Sequence, residues 1–226
     1  MEDRHRKLLS RCLSLDLEVN PKDAKIFAFA AVRHDDRTIL SSNSGLLERH
    51  LDQLEEAIPD VGHPIGHNFL QHDMEHLIAA RPRLSGIMQA PIDTLWLNPL
   101  AFPRNPYHHL VKHYRDGRLA TGHVNDPKLD AQLVFEVFAN QLDAFQELAT
   151  SESDALVAYH YLTTRMERAG GFDAVFRYLR NADCPSQEEG FKAIRRMLKG
   201  RVCGKRAEQS LGRLASPHIG WPMAYA

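Results

Sequence analysis

From residue 13 to residue 19, apolar and polar side chains alternate without a break. Leu13, Leu15, Leu17 and Val19 take the odd positions, and Ser14, Asp16 and Glu18 the even ones. This is the period of a β-strand, and it sends both carboxylates to one face, two residues apart. A turn at Asn20-Pro21-Lys22-Asp23 leads to a second strand over 25–32, and after the turn at 34–37 a third covers 38–41. The chain therefore opens with a three-strand meander. Leu46, Leu47, Leu51, Leu54 and Ile58 then recur at helical spacing, which predicts an amphipathic helix ended by Pro59. A short apolar strand over 61–65 runs into Gly66-His67-Asn68. A helix to about residue 80 follows, with Asp73 on its second turn.

Further along, Pro91-Ile92-Asp93-Thr94-Leu95 reads as a strand end and helix start, with Asp93 as the N-cap. Residues 102–109 are turn-rich and precede a short helical stretch. Asp126-Pro127 opens a long helix to about residue 148, proline suiting the first helical position. Leu129, Leu133, Val137 and Phe138 predict its buried stripe, and Asp130 falls one turn in. Beyond 150–153 the pattern is helical throughout, with breaks at Gly170-Gly171, near Pro185 and near Gly204. The expected organisation is an α/β domain over residues 1–150 and a helical extension over 151–226. The apolar, uncapped end at 220–226 reads as a cut from a longer protein.

At 226 residues, 43% hydrophobic and 25% charged, the chain has the composition of an ordinary globular protein. No apolar run approaches the roughly 18 residues that span a bilayer, so no membrane is expected. The charged N-terminus does not resemble a signal peptide. Cys12, Cys184 and Cys203 lie far apart, which argues against a disulfide framework or zinc ribbon and for a cytoplasmic setting. The net charge of −1 hides an asymmetry. Residues 165–213 hold twelve Lys or Arg against six Asp or Glu, a surplus of +6, so the rest of the chain carries −7. A basic segment beside an acidic front half suits a polyanionic substrate, and equally suits a solvated helical surface.

Two anions on a strand this apolar repel each other and lose solvation, a penalty that a divalent cation removes. The plain alternative is an edge strand with one wet face. The rest of the chain favours the cation. A strand Asp-x-Glu (Asp16, Glu18), then Gly66-His67-Asn68 with Asp73 five residues after the Asn, then a late helical Asp130 resembles the DEDD exonucleases. Within that superfamily, the runs Leu15–Pro21, Ile92–Leu95, Pro99–Pro103, Asn105–His108 and Asn125–Pro127 look like the exonuclease domain fused ahead of bacterial RecQ-type DNA helicases. No phosphate loop for ATP is present.

The resemblance implies a ribonuclease H-like α/β fold, a mixed sheet with helices on both faces, and a 3′→5′ exonuclease using two Mg²⁺ or Mn²⁺ ions. Such ions, roughly 3.5–4 Å apart, activate a water and stabilise the leaving 3′-oxygen. By the same resemblance Asp16 bridges the ions, Glu18 and Asp130 hold the one that binds the attacking water, and Asp73 acts through the other's water shell. The backbone of Leu17 faces the terminal nucleotide, and His67 and Asn68 join the substrate-binding set. Asn68 serves more as a helix cap that fixes Asp73 than as a substrate contact. An all-oxygen ligand set favours Mg²⁺ or Mn²⁺ over zinc. The expected partner is nucleic acid, DNA over RNA, with a RecQ-type helicase region in cis or in trans.

One position departs from the family. The histidine branch carries its general base five residues before the last Asp, where this chain has Asn125. The tyrosine branch carries it four before, where this chain has Asp126. His123, two residues upstream of Asn125, is the candidate base, its imidazole titrating near neutrality. A water with no protein base, or a site that is damaged or completed by another segment, stays open. A weakly catalytic module that binds nucleic acid or a partner is the alternative, and a phosphohydrolase of small nucleotides is a third. Other features carry blander readings. His108, His109 and His113 read as a surface helix before a zinc site, and Trp96 and Tyr107 as packing before base stacking. His72 faces solvent or phosphate. Lys192, Arg195, Arg196 and Lys199 suit either a phosphate backbone or a solvated face.

Overall fold

The computed structural model describes residues 5–35, 38–43, 47–105, 108, 110, 126–213 and 220–225. Five strands, β1 (Cys12–Val19), β2 (Ile26–Arg33), β3 (Thr38–Asn43), β4 (His63–Gly66) and β5 (Ile92–Asp93), form one sheet in the order β3-β2-β1-β4-β5. β1 pairs antiparallel with β2, β2 antiparallel with β3, while β4 runs parallel to both β1 and β5. The helices are α1 (Arg6–Leu9), α2 (Leu47–Val61), α3 (Asp73–Ala80), α4 (Leu84–Ile87), α5 (Thr94–Ala101), α6 (Pro127–Ser151), α7 (Ser153–Thr163), α8 (Gly170–Arg180), α9 (Gln187–Leu198), α10 (Gly204–Arg213) and α11 (Gly220–Tyr225). This is an α/β protein with a mixed sheet that opens on a meander. No helix among the described residues is long and apolar enough to cross a membrane.

β1 is a central strand. Its neighbours on both sides bury Leu13, Leu15 and Leu17, and even Ser14 is sealed from solvent. The edge-strand alternative is thereby overturned. Cross-strand partners share a face: Leu17 sits opposite Phe29, and Phe29 meets His50 of α2 edge-on at 6.5 Å. That apolar face is covered by α2 through Leu51, Leu54, Ile58 and Val61. Asp16 and Glu18 project from the other face, where the start of α6 lies.

Three local expectations are corrected. Pro59 does not end α2, which continues to Val61. Proline removes one N–H but leaves the two remaining residues helical, and the stop comes at Gly62, whose φ of +93° only glycine adopts cheaply. Asp73 is the first residue of α3 and not on a second turn, because 67–72 form a linking bend with Asn68 at φ +67°. The buried stripe of α6 is also shifted in phase. Leu129 is 38% exposed and Leu133 and Val137 are half-buried, whereas Ala131, Val134, Phe135, Phe138, Ala139, Leu142 and Phe145 are buried. That phase puts Asp130, only 5% exposed, on the buried side.

The chain divides into two compact units, one of Met1–Pro99 with Pro103–Asn140, the other of Leu100–Phe102 with Gln141–Ala226. The division falls inside α6, whereas the expected boundary lay at about residue 150, just before that helix ends. Within the second unit α9 crosses α7 so closely that a Cβ on Gly190 would lie 2.4 Å from the Tyr161 ring. Phe145, Tyr159, Phe176 and His160 form its aromatic core.

Candidate carboxylate site

Asp16 and Glu18 come from the centre of the sheet, and Asp130 from the first turn of α6. Asp126 caps that helix, its Oδ1 accepting from the Lys128 and Leu129 N–H groups at 3.0 and 3.4 Å, with Pro127 at the first position. Ligand oxygens of Asp16, Glu18 and Asp130 all lie within 4.8 Å of one another, Asp130 buried and the other two half-buried. Three partly desolvated anions this close raise one another's energy unless a cation joins them. The donor set is carboxylate oxygen throughout, which fits a hard divalent ion such as Mg²⁺ or Mn²⁺.

Asp73 reaches the same strand by a different route. Its Oδ1 accepts the backbone N–H of Leu17, the residue between Asp16 and Glu18, at 3.2 Å. Asp73 is 3% exposed, and burial raises its pKa against the opposing pull of His72 and of the Leu17 N–H. His72 Nδ1 lies 3.3 Å from Asp73 Oδ1, and that hydrogen bond raises the imidazole's pKa. His72 is half-exposed and its ring packs against His76 at 5.0 Å. The Leu17 side chain is buried and its N–H is held by Asp73.

His67 and Asn68 occupy the bend between β4 and α3. Thr94 Oγ1 donates to the Gly66 carbonyl at 3.1 Å, so it accepts from His67 Nδ1–H at 2.9 Å, which fixes that tautomer. Asn68 does not cap α3. His72 occupies the cap position, and the carbonyl of Asn68 accepts the His72 N–H at 3.1 Å. Asn tolerates the left-handed backbone needed to reverse the chain there. His123 and Asn125 lie outside the described residues, as do Tyr107, His109 and His113. His108 accepts from the side-chain amide of Asn98.

One residue read only as a helix cap does more. Asp93 closes β5 with no exposure at all, and its Oδ1 accepts from the N–H of Leu95 at 2.9 Å, the expected cap. Oδ1 also accepts from Asn68 N–H at 3.0 Å, and Oδ2 from Leu70 N–H at 2.9 Å. Burial pushes its pKa up to about 6 against those donors. The sequence signal was a carboxylate at the end of an apolar strand.

A second cluster, His160, Asp173 and Cys184, also brings ligand atoms within 4.8 Å. Arg180 donates to His160 Nδ1 at 2.6 Å and His160 Nε2 donates to Asp173 at 2.8 Å, so both ring nitrogens are committed. With Arg177 also on Asp173, the surroundings repel a cation. Of the basic residues of α9 and its C-cap, Arg195 forks onto Glu208 and Arg196 onto Asp154, while Lys192 and Lys199 are exposed. These arginines tie helices together and do not stand open to a phosphate backbone.

No family model, curated protein or solved structure matches this chain.

Proposed function

We propose that this chain is a metal-dependent 3′→5′ exonuclease of the DEDD kind, built on a ribonuclease H-like fold and acting on DNA at single-stranded or frayed ends. The observation that carries the reading is the convergence of Asp16, Glu18 and Asp130 to within 4.8 Å, from a central strand and a helix more than a hundred residues later. The fold reading is supported by the sheet itself, an antiparallel meander continued by two parallel strands. Residues 1–150 are assigned to the exonuclease domain and 151–226 to a helical extension that would join it to a RecQ-type helicase region, in cis or in trans.

Asp16, Glu18 and Asp130 would hold Mg²⁺ or Mn²⁺, with Asp73 at the margin. When bound, the metal would supply the positive charge that lowers the cost of forming a hydroxide nucleophile and of releasing a 3′-oxygen. The protein's own share is positional. Asp73 pins the Leu17 amide and so sets the spacing of the acids on either side of it. His123 is assigned the proton acceptor, the role that Asn125 at the family's position cannot fill.

Digestion of a 5′-labelled single-stranded DNA tests this. In Mg²⁺ or Mn²⁺ a ladder should shorten from the 3′ end, vanish with chelator, and fall by at least about 100-fold in Asp16→Ala or Asp130→Asn, more than typical losses on disturbing a metal's outer shell. His123→Ala should weaken it. The second reading, a binding module with little catalysis, is favoured by Asn125 alone. It predicts no ladder in either metal, DNA binding insensitive to Asp16→Ala, and activity gained by Asn125→His.

A further inference from the structure

The turn that carries Asp73 to the Leu17 amide has no regular ladder of its own. Residues 67–72 link β4 to α3, with Asn68 at φ +67°, a left-handed conformation that asparagine tolerates. Phe69 anchors the turn in the core and Thr94 holds His67, while two of its backbone N–H groups are taken by one side chain from another strand. Asp93, paired with Gly66 across the parallel β4–β5 ladder, takes the Asn68 and Leu70 N–H groups on its two oxygens while also capping α5 through Leu95. From that clamp the order continues by backbone bonds, the Asn68 carbonyl accepting His72 N–H at 3.1 Å and the Phe69 carbonyl accepting Met74 N–H at 2.9 Å. Those two bonds bracket Asp73, whose carboxylate then accepts the Leu17 N–H.

We propose that Asp93 is the positioning residue of the carboxylate site: it fixes the 68–70 turn, the turn fixes Asp73, and Asp73 fixes the strand backbone between Asp16 and Glu18. The role is a carboxylate's. N–H donors converge on both oxygens, those of Asn68 and Leu95 on Oδ1 and that of Leu70 on Oδ2, and a side-chain amide with its single oxygen cannot accept at both places. An asparagine in its place keeps one acceptor and turns an NH₂ towards the Leu70 or the Asn68 and Leu95 donors. A serine keeps the helix cap and abandons the turn. What the site does rests on the exonuclease reading above. That Asp93 sets the Leu17 amide does not.

The test uses the full chain, with Asp93→Asn and Asp93→Ser, at a temperature where both are folded by near-ultraviolet circular dichroism. Amide exchange is followed at Leu17 and Leu70, with Leu15 and Ala30 as internal references. The proposal expects both variants to speed exchange at Leu70 and also at Leu17, by at least about tenfold relative to the references. In the nuclease assay it expects kcat to drop by about 10–100-fold, the size usual for outer-shell partners, with KM for the DNA within twofold of the wild type. Faster exchange at Leu70 with Leu17 unchanged would overturn it, leaving Asp93 a local clamp. Unchanged kcat in a wild-type-active background would overturn it, as would loss of the folded state in both variants. If the wild type shows no nuclease activity, the functional reading falls, and the Leu17 amide still decides the role of Asp93.

Discussion

A methyl group on Gly66 would lie 2.9 Å from the Leu15 carbonyl oxygen and 3.0 Å from Phe69 Cβ, at the point where β4 turns towards the site. Neither atom can swing away, since one is backbone and the other is fully buried. Gly66→Ala is therefore expected to cost about 1–3 kcal/mol, as overpacked sites do, read as a lower urea midpoint with unchanged slope. At the head of α6, Asp126→Ala removes the cap and should cost about 1 kcal/mol, read from urea unfolding. At this scale the acids of β1 were legible because strict alternation fixes a face. The link from Asp73 to Leu17 was not, because a hydrogen bond between residues so far apart leaves no period in the sequence. For Asp93 the local bond to Leu95 could be read, and the two reaching back to Asn68 and Leu70 could not.

Among elements, α6 shows how a helix can be recognised and its orientation missed. Leu129, Leu133, Val137 and Phe138 marked one stripe; Phe138 is buried as expected, but the rest of the buried face is a neighbouring one made of Ala131, Val134, Phe135 and Leu142. A single exposed leucine is ordinary on a protein surface, so one aliphatic position does not fix a helix's phase. The shift matters to the site, because it is this phase that turns Asp130 inward. Leu129→Gln should change stability by under about 0.5 kcal/mol, while Phe138→Ala should cost about 3–5 kcal/mol, both from urea unfolding. The strands and the starts of α8, α9 and α10 were legible from alternation, glycine pairs and the Pro185-Ser186 stop. In α9 the Ser186 and Glu189 capping box adds a signal of its own.

Over the whole molecule, buried titratable groups give stability a structured pH dependence, and His63, His160 and Asp93 show both of its signs. Burial lowers the pKa of His63 and of His160, so the unfolded chain takes up protons below about 6.5 that the folded one refuses. Both contribute stability that is present at pH 7.5 and lost as pH falls through their unfolded value. Asp93, raised to about 6, has the opposite sign: its folded form binds the proton more tightly, which favours the folded state as pH falls from 6 towards 4. His72, raised by its bond to Asp73, opposes His63 and His160, so the discriminating expectation is that the thermal midpoint falls less between pH 7.5 and 6 in His160→Gln than in the wild type. Below pH 6 the fall should be steeper in Asp93→Asn, where that compensation is gone. Calorimetry at half-unit pH steps checks both slopes. The charge asymmetry read from the sequence overstates the free charge of α9, where Arg195 and Arg196 are paired with Glu208 and Asp154. Formal charge counts residues and says nothing of their partners.

The separation of Asp16 and Asp130 along the chain also sets an order in time. β1 and β2 can pair once residue 33 has left the ribosome, and β4 and β5 can add before residue 100 has emerged. The third carboxylate arrives only with α6. At roughly 5–20 residues per second, a nascent chain spends several seconds as a formed sheet that still lacks its last ligand. If the cluster cuts nucleic acid, it stays harmless to the messenger beside it until that helix has emerged.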